Sequence, residues 1–84
     1  MCRNITTLRG LEPPATPEEI EAAARQYVRK VSGVQKTSAA TVAAFEDAVA
    51  RVSAATAQVL NALPPRRVPP RYDPPIRRMA AQRA

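Results

Sequence analysis

The chain has 84 residues, enough for one small domain, and its 13 Lys and Arg against 7 Asp and Glu give a net charge of +6. One cysteine, no histidine and glycines only at positions 10 and 33 exclude a disulfide scaffold, a structural Cys/His zinc site, imidazole acid–base catalysis and a glycine-rich phosphate loop. Of the apolar residues 17 are alanine, so the composition points to a basic, helical protein with a thin core.

The charge divides the chain. Residues 1–63 carry seven basic and six acidic side chains, whereas residues 64–84 carry six arginines against Asp73. Six of the nine prolines also fall in that second part. The expected organisation is therefore a small helical domain over 1–63 and a basic, extended or disordered tail over 64–84. No run of 18 apolar residues exists, and no apolar core follows Met1-Cys2-Arg3, so a cytoplasmic location without membrane contact is expected.

In chain order, Ile5, Leu8 and Leu11 are spaced by three, Asn4 is a potential cap and Gly10 a potential stop. That pattern predicts a short N-terminal helix over 5–11. The next element is clearer. Thr16 followed by Pro17 and Glu19 forms a capping-box signature, and Ile20, Ala23, Ala24, Tyr27, Val28 and Val31 make one helical stripe. Acids occupy its first turns, Arg29 and Lys30 its last, and Gly33 should stop it in a left-handed conformation. A long helix should then begin near Ser38 or Ala39 and run to Leu63, before Pro64-Pro65. Its large side chains, Val42, Phe45, Val49, Val52, Thr56, Val59 and Leu63, step by 3 and 4, as a heptad seam does.

An antiparallel hairpin of these two helices leaves an overhang. At 1.5 Å per residue the first is about 24 Å long and the second about 37 Å, so the surface around Val59, Leu60 and Leu63 lacks a partner. Residues 5–11 are expected to fold over it. The alternative is a homodimer or adaptor that buries Val52, Val59, Leu60 and Leu63 against another chain. The fold class is all-α: a short N-terminal helix and a helical hairpin, followed by an extended arm. In that arm proline pairs recur at 64–65, 69–70 and 74–75, which favours polyproline II, with a frayed turn at the end.

Function is weighed among three classes. Arginine binds phosphate through a planar fork, and Tyr72 between Arg71 and Asp73 can stack on a base. Arg66, Arg67, Arg71, Tyr72, Arg77 and Arg78 are thus the candidate nucleic-acid contacts, on RNA or a ribonucleoprotein. Arg29, Lys30 and Lys36 form a second basic region at the loop end. A base-reading helix-turn-helix is disfavoured, since the long helix opens with alanines followed by Glu46 and Asp47. The second class is thiol chemistry at Cys2, which methionine excision would leave as the N-terminus with an adjacent amine and Arg3. Nucleophilic catalysis also needs a base and an orienting group, and no histidine is available. A non-enzymatic protein without cofactor or metal is expected. The third class is the helical dimer or adaptor.

The opening Met1-Cys2-Arg3-Asn4-Ile5, the stretch Leu11-Glu12-Pro13-Pro14-Ala15-Thr16 and the run Gln26-Tyr27-Val28-Arg29-Lys30-Val31-Ser32-Gly33 together resemble the domain-of-unknown-function family 2277 of small bacterial proteins. The resemblance covers roughly residues 1–60. Two positions depart from it: Leu11 stands where members usually carry Phe, and Thr37 where they often carry Pro. The proline repeat of the tail lies outside the pattern. The resemblance implies a bacterial, cytoplasmic protein and supplies no activity. It adds Cys2, Arg3, Asn4, Arg29 and Lys30 as motif residues that packing does not obviously require.

Overall fold

The computed structural model describes residues 5–66 and 69–83. Those residues form three helices: α1 (Pro17–Ser32), α2 (Val42–Ala62) and α3 (Pro75–Arg83). The all-α expectation holds, and α1 packs along α2 as the main helical pair.

α1 follows its local signals. The Thr16 hydroxyl accepts the Glu19 N–H at 3.2 Å while Glu19 Oε1 accepts the Thr16 N–H at 2.8 Å, so both halves of the capping box are made. At the other end Gly33 has φ 73° and donates its N–H to the Arg29 carbonyl at 2.9 Å. α2 starts at Val42, later than the Ser38 or Ala39 expected. Residues 38–41 are spent on a turn, in which the Thr41 hydroxyl accepts the Ser38 N–H at 2.8 Å. The helix ends at Ala62 because Leu63, which precedes proline, takes an extended conformation of φ −78° and ψ 147°.

The apolar interior is split between the two ends of the pair. Ala24, Val28, Phe45 and Val49 form one cluster, with Val34 and Val52 packed on it. Ala24 is 2% exposed, and its small side chain is what lets the helices come close there. The second cluster is Leu8, Leu11 and Ile20, covered by Ala57 and Leu60. The N-terminal segment does lie over the free end of α2, which was the geometric expectation.

It does so without a helix, and this corrects the expectation for residues 5–11. Residues 8–11 make a turn in which the Leu11 N–H reaches the Leu8 carbonyl at 3.4 Å and Gly10 has φ 88°. That is the third turn position, where a positive φ favours glycine. A spacing of three places Leu8 and Leu11 on one side in a turn as well as in a helix. Thr6 and Thr7 are poor helix formers, and Pro13 bars continuation, so a helix of seven residues had little to stabilise it.

The heptad seam of α2 is also only partly used. Phe45 and Val49 are buried, but Val42, Val59 and Leu63 are 41%, 48% and 42% exposed. A straight helix drifts off a strict heptad, so Ala57 and Leu60 face the N-terminal segment in place of Val59 and Leu63. The chain after α2 returns to α1: Pro74 is buried, and the Pro74 carbonyl accepts the N–H of Arg77 at 3.0 Å and of Arg78 at 3.2 Å as α3 begins. The arm is therefore helical over 75–83, whereas an extended course with only a terminal turn was expected.

Candidate functional site

Arg77 anchors α3 to the rest of the chain. Arg77 sits in the first turn of α3, 58 residues from Glu19, and binds both carboxylate oxygens, Nε on Oε2 and a terminal nitrogen on Oε1 at 3.0 Å. The same terminal nitrogen donates to the carbonyls of Pro13 at 2.7 Å and Pro14 at 3.3 Å. The Glu19 carboxylate thus closes the α1 cap and anchors α3 at once. Its residue is 5% exposed, which would raise its pKa, yet the Arg77 guanidinium holds the carboxyl below its ordinary value.

Other arginines act in the same structural way. Arg25 pairs with Glu46 at 2.8 and 2.9 Å and with Glu21 at 3.2 Å, while its guanidinium lies 5.7 Å from the centre of the Phe45 ring. These carboxylates raise the Arg25 pKa, and Arg25 in turn lowers that of Glu46. Arg9 donates twice to the Pro64 carbonyl, at 3.1 and 2.7 Å, which ties the start of the tail to the N-terminal turn. A Cβ on Gly10 would stand 3.0 Å from the Cβ of Arg66, so the absent side chain leaves room for the tail to pass.

The tail candidates among the described residues do not form one patch. Arg77 is turned inward on Glu19. Arg66 and Arg78 are exposed, and Arg71 is exposed with its guanidinium 5.9 Å from the Tyr72 ring. Tyr72 itself is 61% exposed, open to stacking. Arg67 lies outside the described residues, as does Cys2. At the other end Lys30 and Lys36 are exposed, but Arg29 is half-buried, in the wall of a cleft.

That cleft was not legible in the sequence. It encloses about 250 Å³ between the segment containing Thr6 and Leu8, one face of α1 and the start of α3, where Pro74, Ile76 and Met79 close it. A second, wider cleft of about 540 Å³ lies across the N-terminal turn and the end of α2, from Arg9 and Gly10 to Leu60 and Pro65. The Arg77–Glu19 anchor left a faint sequence signal, an acid at the third helical position beside the apolar stripe. Its partner gave none. Among the described residues no cluster of three or more His, Cys, Asp or Glu side chains stands together, and no helix is long and apolar enough to cross a membrane.

A family model described as an uncharacterized conserved protein, the domain-of-unknown-function family 2277, matches residues 1–83. The chain belongs to that family. The match runs through the proline-rich tail as well as the helical pair, further than the opening motifs reach. No curated protein and no solved structure matches the chain.

Proposed function

We propose that this member of the family is a non-enzymatic binding protein that docks on RNA, with residues 1–63 as the platform and residues 64–84 as the contacting arm. The observation that carries the reading is the charge of the arm, six arginines against Asp73, of which Glu19 takes Arg77. Arg66 and Arg71 project from the segment between the end of α2 and the start of α3, and Tyr72 offers an exposed ring beside Arg71. Arginine forks position phosphates and an aromatic face stacks on unpaired bases, a combination suited to single-stranded RNA. In this reading Arg77 is an anchor for the arm and contacts no RNA. Arg66, Arg67, Arg71 and Arg78 are the phosphate contacts, with Lys30 and Lys36 as a separate region at the loop end.

The test is the salt dependence of binding to a labelled single-stranded RNA by fluorescence anisotropy, using the full chain. Four phosphate contacts give a slope of log K against log salt of about −2.8, at roughly −0.7 per contact. Replacing Arg66, Arg67 and Arg71 together by Gln should flatten that slope by about 2, again at roughly 0.7 per contact. Replacing Lys30 and Lys36 by Gln should leave it nearly unchanged. A slope that the tail variant does not alter, or no binding at low salt, would refute the reading.

A further inference from the structure

The cleft between α1, the N-terminal segment and α3 has walls that are mostly apolar, with Leu8, Ala23, Ile76 and Met79 among them, and a polar edge made by Arg25, Gln26 and Arg29. The two arginines of that edge differ. Arg25 is paired with both Glu46 and Glu21. Arg29 has no hydrogen-bonding carboxylate, and its Nε is shielded from water without an acceptor. The Thr6 hydroxyl, on the opposite segment of the cleft, is likewise shielded and unpartnered. Among the described residues three side-chain polar atoms are in that condition, and two of them belong to this one cleft.

A guanidinium that is partly stripped of water and lacks a hydrogen-bonded anion is costly to the fold, and a ligand carrying one offsets that cost. We propose that the cleft binds a small apolar carboxylate, its head group on Arg29 and its hydrocarbon between Leu8, Ile76 and Met79. A planar monoanion suits the guanidinium fork. A dianion suits it less, because Glu19 lines the same cleft and Glu46 lies close enough to feel the charge of Arg29. The volume sets the size. A dry cavity of about 150 Å³ admits benzene, so about 250 Å³ accommodates roughly ten heavy atoms. Octanoate has that number. The inference goes beyond the RNA reading and uses none of the arginines proposed to contact RNA.

The experiment is a titration of the full, isotope-labelled chain with sodium octanoate, followed by two-dimensional NMR, beside octan-1-ol as the neutral probe. The expected result is a saturable 1:1 shift confined to amides around Thr6, Leu8, Gln26 and Ile76. Octan-1-ol should bind at least tenfold more weakly, and Arg29→Met should weaken octanoate by about tenfold to a hundredfold, the range of a charge-assisted hydrogen bond. Thr6→Val should weaken it by less. Equal binding of the acid and the alcohol to the unsubstituted protein overturns the assignment, and that comparison does not depend on the folding of any variant. Shifts that fail to saturate, or that centre on the exposed Val31 and Val59, overturn it as well.

Discussion

The sharpest consequence of the split core concerns Leu8. If residues 5–11 cover the free end of α2, Leu8→Ala must unfold the protein at lower denaturant, although Leu8 lies in no helix. Leu8 is 8% exposed and Leu11 5%, both in the cluster with Ile20. Truncation to alanine removes three carbons, about 0.8 kcal/mol each, or about 2.4 kcal/mol of transfer free energy. The additional cavity cost is small, because Leu8 lines both clefts and water can follow the truncation in. The expected loss is therefore about 2–3 kcal/mol, against a total of about 4–13 kcal/mol for a chain of this length. Urea unfolding followed by far-ultraviolet circular dichroism reads it directly. With an m-value of about 1 kcal/mol per molar, the midpoint should fall by about 2–3 M. Val59→Ala is the control: Val59 is 48% exposed, and the helix propensity gained by alanine offsets most of the lost burial. The result that refutes the reasoning is a Val59→Ala effect equal to or larger than that of Leu8→Ala, with a midpoint that rises with protein concentration. That outcome would mean a second chain covers the end of α2.

Three further outcomes follow from single contacts. The Glu19 carboxyl is held below its ordinary 4.5 mainly by the Arg77 hydrogen bond, so its contribution is fully present above about pH 4.5 and is lost as pH falls through the lower folded value. NMR shifts of Ile76 and Arg77 amides should therefore step together at acid pH, and Arg77→Gln should abolish the step. Thr16→Ala removes the hydroxyl half of the capping box and should cost about 1 kcal/mol in the same urea assay. Gly10→Ala forces a positive φ on a side chain and sets its Cβ 3.0 Å from that of Arg66, so a loss of about 1–2 kcal/mol is expected from the φ alone. Arg66→Gly in that background should recover only the part due to the contact.

The elements that were legible in the sequence are those whose causes are local. α1 is specified within residues 16–33 by a cap, an apolar stripe, ordered charges and a terminal glycine; the cap, the charges and the glycine are realised, while of the stripe Ile20, Ala24 and Val28 are buried and Tyr27 and Val31 are exposed. α2 is recognisable for the same reason, except that its first residues contain a Ser-Thr turn that competes with helix at the start. The short segments went astray where two structures share one pattern. A spacing of three between Leu8 and Leu11 fits a turn with glycine at its third position as well as a helix. A proline pair fits polyproline, yet Pro75 also fits the first position of a helix, and that is where it stands.

The illegible part is the one that matters most for the site. Nothing in residues 75–79 indicates that Arg77 belongs to Glu19, because a salt bridge across 58 residues leaves no periodicity. Six arginines in one segment look interchangeable on charge alone. In the fold Arg77 completes the capping carboxylate and brings Ile76 and Met79 over α1 to make the cleft. Arg71 cannot take its place, since it precedes the buried Pro74 that sets the register of α3 and so lies outside the helix that reaches Glu19. The two proposals consequently separate on Arg77. Arg77→Gln should leave the phosphate contacts of Arg66 and Arg71 in place and keep the salt slope of RNA binding, while it frees α3 and abolishes octanoate binding. A variant that lost both would show that the arm must be docked to bind RNA, and one that lost neither would show that Arg77 does not hold α3.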